Sequence, residues 1–245
     1  TATLANNHDS HPAFTADVLV NLGSVGVVYS DLNGDSASAT VTVTVSDDTP
    51  VVIAGDTGPV LSVDETTFGT DSSGNFSGMF SNSSGADGAG SSGYTLGVVA
   101  GPSGLVDTLS GQAVILSMAG TVVEGRTTGG LLVFAVSVDA NGIVTLDQSR
   151  AVIHDPDAGP NDVEQIADNL ITLTRTLTDG DGDSVAATVN LGQRLQFFDD
   201  APGALAQTTS GTVDEDGLPG GIAGGVSGDV AGEATSASGS VAGLF

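Results

Sequence analysis

Residues 170–191 read LITLTRTLTDGDGDSVAATVNL, two runs rich in Thr, Val and Leu on either side of the acidic segment DGDGD. β-branched residues favour strands, whereas Asp and Gly favour tight turns. The stretch therefore predicts two antiparallel strands, at 170–177 and 184–191, with a loop between them. Helix signals are nearly absent elsewhere, and other short Val-rich and Thr-rich runs end at Gly, Asn or Asp. The sequence predicts an all-β fold, an antiparallel, immunoglobulin-like β-sandwich.

Further strands are predicted on both sides of this stretch. Residues 39–45 (ATVTVTV) alternate with period two, as a half-buried strand does. Residues 69–93 are rich in Gly and Ser but carry Phe76, Met79 and Phe80, which indicates a long, partly packed loop. Two more hairpins and a closing strand are expected: 112–118 with 121–127, 131–138 with 143–147, and 194–198.

The acidic motifs recur at a spacing of about 150 residues, which is typical of tandem modules. We interpret residues 1–48 as the C-terminal part of a preceding repeat, 49–201 as a complete repeat module and 202–245 as the start of a following repeat. The paired motifs are Asp31, Asn33 and Asp35 with Asp179, Asp181 and Asp183; Asp47-Asp48 with Asp199-Asp200; and Asp64-Glu65 with Asp214-Glu215.

The composition restricts the partners of the chain. Thirty Asp and Glu face four Arg and no Lys, which gives a formal net charge of −26. This argues against nucleic acid and anionic membrane surfaces as partners, because binding to either depends on positive side chains. No apolar run reaches the ~18 residues that span a bilayer, so we expect no membrane insertion by this segment. The chain has no Cys, and a folded protein with this much repulsion needs a counter-charge, for which divalent cations are the best source.

The DGDGD loop is the first candidate metal site. Asp179, Asp181 and Asp183 stand on alternate residues of a Gly-rich turn, so their carboxylates can face one hard cation. Calcium takes ~6–8 oxygen ligands, which fits such a loop better than the small octahedral shell of magnesium. Asp31, Asn33 and Asp35 offer oxygen donors at the corresponding positions. The alternative is an acidic hairpin turn exposed to solvent.

The module junctions are the second candidate. Acidic pairs lie where one module should end and the next begin, and calcium bound between them would stiffen the joint. The alternative is a solvated, Pro-containing linker. The junction residues are Asp47, Asp48, Asp64 and Glu65 at the first boundary, and Asp199, Asp200, Asp214 and Glu215 at the second. We interpret Asp87 and Asp139 as turn residues and His154 as a surface or turn histidine.

Sequence motifs of enzymes are absent. The chain contains no G-x-S-x-G, no phosphate-binding Gly loop with Lys and no HExxH. A glycosidase-like pair of carboxylates would leave no sequence motif, but few aromatic residues are available to bind a sugar. We therefore expect no enzymatic activity. A secreted hydrolase, the remote alternative, would need two carboxylates in a cleft, one with a raised pKa.

Several blocks, in order, resemble a domain of unknown function found as tandem repeats in giant repeats-in-toxin-type adhesins of Gram-negative bacteria. The resemblance spans about residues 60–202, and residues 1–48 resemble the end of a related unit. The GGxGxD calcium repeat of the secretion-proximal region is absent. The blocks are VDET (63–66), GADGAGS (85–91), GLVDT (104–108), VVEGRT (122–127), LVFAVSVDANGIVTLDQSRAVIH (132–154) and LTDGDGDSVAATVNLGQ (177–193).

The resemblance implies type I secretion, display at the bacterial cell surface and calcium-rich β-sandwich modules that act as extenders. The partners expected from it are calcium ions and neighbouring repeats of the same chain. The chain is then a calcium-stabilised extender repeat of a secreted adhesin with a role in adhesion and biofilm. The alternative is a module that itself binds a glycan or peptide ligand.

Overall fold

The structure is a computed structural model that describes residues 3, 5, 19–156, 159 and 161–200. The chain divides into two compact units, Thr1–Asp200 and Ala201–Phe245. The second unit lies outside the described residues, and with it the expected following repeat (202–245), Asp214 and Glu215.

The described residues contain sixteen strands and three short 3-10 helices. No helix among them is long and apolar enough to cross a membrane. The strands are β1 Leu19–Ser30, β2 Ser36–Ser46, β3 Val51–Ala54, β4 Leu61–Asp64, β5 Ser72–Asn75, β6 Phe80–Ser83, β7 Ala89–Val98, β8 Gly101–Val106, β9 Ala113–Ala119, β10 Val122–Thr127, β11 Leu132–Val138, β12 Ile143–Gln148, β13 Val163–Gln165, β14 Ile171–Asp179, β15 Ser184–Asn190 and β16 Leu195–Phe198. The 3-10 helices are Glu65–Thr67, Ser77–Met79 and Gly192–Arg194.

The strands form an all-β sandwich of mainly antiparallel sheets. A six-stranded sheet has the order β5-β12-β11-β10-β9-β8, and a three-stranded sheet has the order β15-β14-β7. β7 contacts β9, β10 and β11, which brings these two sheets together. A further sheet, β13-β16-β4, contains the parallel pair β4 and β16. The remaining pairs are β3 with β6 and β1 with β2.

The core lies between these sheets and is made of aliphatic side chains with a few Phe. The rings of Phe134 and Phe197 meet edge to face, 5.1 Å between centroids, and both side chains are fully buried. A side chain at Gly125 would overlap the ring of Phe134, so the close packing of β10 requires glycine there. Burial of Leu, Val, Ile and Phe is the main stabilising contribution in a chain without disulfides.

The three predicted hairpins are confirmed. β9 and β10 pair through Ala119 and Val122, and Gly120 supplies the positive φ of +65° that the turn needs. β11 pairs with β12, and β14 pairs with β15 around the DGDGD loop. The expected closing strand is β16.

One expectation was wrong, and a second holds only in part. The segment 69–93 is not a long loop, because it contains β5, β6 and the start of β7, and its three large apolar residues are buried. The run 39–45 is half-buried only towards its end, where Val43 and Val45 are partly buried and Thr44 is exposed, whereas Val41 in β2 and Val25 in its partner β1 are each 57% exposed. The alternation of its sequence therefore produces partial burial only in the last part of β2.

Candidate cation-binding sites

The DGDGD loop folds around the carboxylate of Asp179. The Oδ1 atom of Asp179 accepts hydrogen bonds from the backbone N–H of Gly182, at 3.1 Å, and of Asp183, at 2.8 Å. The Asp179 N–H donates to the Asp183 carbonyl at 3.0 Å, and Gly182 has a φ of +113°. One oxygen of Asp179 thus holds the turn. One carboxylate oxygen from each of Asp179, Asp181 and Asp183 lies within 4.8 Å of the other two.

The earlier copy of this loop forms a similar turn but has different surroundings. Asp31 Oδ1 accepts from the N–H groups of Asn33 and Asp35, both at 3.0 Å, and the Asp31 N–H donates to the Asp35 carbonyl at 2.9 Å. All three residues are exposed, and they join no metal-binding group among the described residues. The turn therefore forms in both copies, whereas the gathering of further carboxylates is found only around Asp179–Asp183.

Two other segments bring acids to the DGDGD loop. Asp47, which follows β2, and Asp87, in the connection between β6 and β7, offer carboxylate oxygens within 4.8 Å of one on Asp181. Asp48 lies beside them and accepts a hydrogen bond from the Ala86 N–H at 2.7 Å. We call the resulting set the acidic cluster: Asp47, Asp48, Asp87, Asp179, Asp181 and Asp183.

Glycines allow these segments to approach so closely. A Cβ atom at Gly180 would overlap the backbone oxygen of Asp87, and one at Gly85 would overlap the carboxylate of Asp48. Gly180 therefore allows the contact between the GADG and DGDGD loops, and Gly85 allows the contact between GADG and Asp48.

The electrostatics of the acidic cluster are unfavourable without a counter-charge. Burial is the main cause that raises the pKa of Asp87 to about 6, and a hydrogen bond that protonated Asp87 donates to Asp48, with repulsion from Asp181, Asp48 and Asp47, adds to the effect. Burial and the neighbouring Asp181 also raise the pKa of Asp179. Asp179 Oδ2 and both carboxylate oxygens of Asp181 are buried and accept no hydrogen bond from the described residues. Such oxygens are costly to bury unless a cation or proton satisfies them.

Each of the four Arg side chains contacts residues outside the acidic cluster, so none of these contacts neutralises it. The contacts are Arg126 with Glu124, Arg150 with Asp107, Arg175 over the ring of Tyr94 at 5.3 Å, and Arg194 with the backbone carbonyls of Asp56 and Gly58.

A second group of potential ligands lies where β4 and β16 end. Phe198 of β16 is paired in parallel with Asp64 of β4, so the next residues, Asp199 and Glu65, lie side by side. Potential ligand atoms of Glu65, Asp199 and His154 lie within 4.8 Å of one another. Burial raises the pKa of Glu65, although hydrogen bonds from Val152 and His154 oppose this effect.

The structure therefore groups the predicted residues differently from the sequence. Asp47 and Asp48 join the DGDGD loop, not Asp64 and Glu65. The Asp64 carboxylate accepts from the Thr66 N–H at 2.9 Å and caps a 3-10 helix. Asp200 is exposed and joins no metal-binding group among the described residues.

Two residues that the sequence analysis set aside belong to these groups. The sequence predicts a turn residue at Asp87 and a surface or turn histidine at His154, yet the His154 side chain is only 3% exposed. The motif GADG was a possible signal for Asp87, because it combines an acid with two glycines. Nothing local marks His154, since its partners are 89 and 45 positions away in the sequence.

The comparison with protein families identifies the module. Residues 60–192, more than half of the chain, match the family described as Domain of unknown function (DUF5801). The chain belongs to the DUF5801 family. The DUF5801 match begins one residue before β4 and includes Asp87 and the DGDGD loop, whereas Asp47, Asp48 and Asp199 lie outside it. No curated protein matches the chain.

Proposed function

We propose that this chain is a non-catalytic, calcium-stabilised extender repeat of a large secreted adhesin at the bacterial cell surface. The acidic cluster is the observation that carries the proposal. It brings together six carboxylates from three chain segments. In this cluster, Oδ2 of Asp179 and both carboxylate oxygens of Asp181 are buried without a hydrogen bond. The extracellular location rests on the sequence resemblance described above and on the fact that calcium is plentiful outside cells.

Calcium suits the acidic cluster better than other common cations. Two oxygens bound to one calcium ion at 2.3–2.6 Å can be at most about 5 Å apart, which the 4.8 Å grouping satisfies. The donors are carboxylates, the hard ligands that calcium prefers. Asp181 belongs to both groups of three carboxylates. It would therefore either bridge two neighbouring calcium ions or complete the ligand shell of one ion.

The site also gives a mechanical role to the residues that precede the module. Asp47 and Asp48 follow β2, which we interpret as the end of the preceding repeat, whereas Asp87 and Asp181 lie in loops of the complete repeat. A cation held by both would fix the joint between the two repeats. Calcium-free chains would be looser at this joint, and folding would accompany calcium binding after export.

The acidic cluster does not suit hydrolysis, although Asp87 has the raised pKa expected of a general acid. That pKa is raised first by burial and then by neighbouring carboxylates, and oxygens of Asp179 and Asp181 are buried instead of facing a cleft. The described cavity lies elsewhere, lined in part by Asp56, Asp168 and Arg194. A bound cation would keep the carboxylates of the cluster ionised, so none of them could act as the general acid that a hydrolase needs.

Thermal unfolding of the full chain tests the proposal. Calcium at about 100 times its Kd should raise the melting temperature by about 5–10 °C over chelator at matched ionic strength. Magnesium should have little effect. Asp181→Asn removes the shared carboxylate and should abolish most of the rise. Asp71→Asn makes the same change of charge at an exposed position and should retain it.

Two outcomes would refute calcium stabilisation: identical melting curves in calcium and in chelator, or an equal calcium response in Asp181→Asn and Asp71→Asn. An equal response to magnesium would show general screening of a chain with net charge −26 in place of a selective site.

A further inference from the structure

We propose that Glu65, His154 and Asp199 form a second cation site, specific for a first-row transition metal such as Zn²⁺, that clamps the ends of β4 and β16. This site is separate from the acidic cluster and does not depend on the calcium proposal. Three elements build it: the ends of β4 and β16, and the segment that follows β12.

The fold fixes the position of each ligand. Parallel pairing places Glu65 next to Asp199, because the pair Phe198 and Asp64 immediately precedes them. The third ligand is placed through the backbone, since the Val152 N–H donates to Glu65 Oε1 at 2.8 Å and His154 follows two residues later. Val152 is itself held by a β-bridge to Asp107. None of the three ligands is on a free loop tip.

The separation of His154 and Glu65 fits two ligands of one metal ion. The Nε2 atom of His154 lies 3.4 Å from Oε1 of Glu65. A charged hydrogen bond between such groups is normally about 2.7–2.9 Å. Two ligands at about 2.0–2.1 Å from a tetrahedral zinc ion lie about 3.3–3.4 Å apart. The observed distance is long for the first arrangement and suitable for the second.

The imidazole of His154 has a lone pair that no described residue uses. Its Nδ1 atom is buried without a hydrogen-bond partner, and its Nε2 atom lies 3.4 Å from the Glu65 carboxylate. A neutral imidazole has one acceptor nitrogen, and an ionised carboxylate cannot donate to it. In either tautomer the acceptor nitrogen is therefore unsatisfied. The side chains of His154 and Glu65 are 3% and 2% exposed, so bulk water does not satisfy it.

The donor set selects the metal. Imidazole nitrogen with carboxylate oxygen suits zinc and its neighbours, whereas calcium prefers oxygen alone. Three protein ligands leave a fourth position for water. Asp199 is only half-buried, so an ion can reach the site from solvent. Bound there, the metal would join the two strand ends and neutralise the buried Glu65.

The test is a zinc titration of the full chain in saturating calcium, followed by melting temperature and calorimetry. Zinc at micromolar concentration should raise the melting temperature of the wild type. Loss of a ligand should weaken zinc binding about tenfold or more, since even outer-shell partners contribute 10–100-fold. His154→Gln and Asp199→Asn should both show this loss. Cobalt substitution should give the visible absorption of a four-coordinate site in the wild type and not in His154→Gln.

Two control variants make the result specific. Asp181→Asn should lose the calcium response and keep the zinc response, which separates the two sites. The double variant His8→Gln/His11→Gln removes the other two histidines of the chain and should also keep the zinc response. The proposal is overturned if zinc does not stabilise the wild type, if the double variant abolishes the effect, or if Asp199→Asn binds zinc as tightly as the wild type.

Discussion

Asp107 is fully buried, and the guanidinium of Arg150 holds its carboxylate through hydrogen bonds of 2.7 and 3.0 Å. Ser110 adds two more donors, its backbone N–H and its hydroxyl. The Arg150 hydrogen bond is the main cause that lowers the pKa of Asp107 to about 2. Because the folded pKa lies below the unfolded one, this carboxylate stabilises the fold above about pH 4, and the contribution is lost as the pH falls to 2.

Asp107→Asn should therefore lower the free energy of unfolding at pH 7 by on the order of 2 kcal/mol. The difference from the wild type should shrink between pH 4 and pH 2, where the wild-type carboxylate becomes protonated. Urea unfolding in chelator between pH 7 and pH 2 measures this difference in the free energy of unfolding. Arg126→Gln is the control, since its ion pair with Glu124 is partly exposed and should contribute little. A difference that stays constant with pH would contradict this account.

The contact between the GADG and DGDGD loops should affect both stability and calcium binding. A methyl group at Gly180 would overlap the Asp87 carbonyl, so Gly180→Ala must push the two loops apart. We expect a lower melting temperature in calcium and weaker calcium binding by calorimetry.

Gly93→Ala is the matched control, because Gly93 lies in β7 with open space around its Cα atom. It should bind calcium as the wild type does and be neutral or slightly stabilising. Equal calcium affinity in the two variants would show that the loops need not touch for calcium to bind.

The hairpins could be predicted from the sequence because their partners are neighbours and their turns carry Gly, Asn or Asp. Loop 179–183 and its copy at 31–35 are examples, and both form the expected turn. The grouping of acids could not be predicted, because it depends on contacts between distant segments. Asp47 meets Asp181, and Glu65 meets Asp199, each over 134 positions of sequence. The parallel pairing of β4 with β16 has no local signal either.

For the whole molecule, the rate of cleavage at the four Arg can report calcium binding. A trypsin-type protease cuts after Lys or Arg, and this chain has no Lys. Arg175 lies within β14, the strand that ends at Asp179 of the acidic cluster. In chelator we expect faster cleavage, beginning at Arg175, whereas calcium should protect all four sites. Mass spectrometry identifies the cuts, and a small peptide substrate corrects for the response of trypsin itself to calcium. Cleavage at equal rates in both buffers would mean that calcium does not restrict local opening.

The parallel pairing of β4 with β16 also determines how the module would carry tension. Both strands run in the same direction, so a chain under load would be pulled at the Leu61 end of one and at the Phe198 end of the other. Such a pull slides the strands past each other, and the backbone bonds along the four paired positions resist it together. An antiparallel hairpin pulled at its open end would instead unzip one bond at a time. Force spectroscopy should therefore show a module that stays closed under rising load and then yields in a single abrupt step.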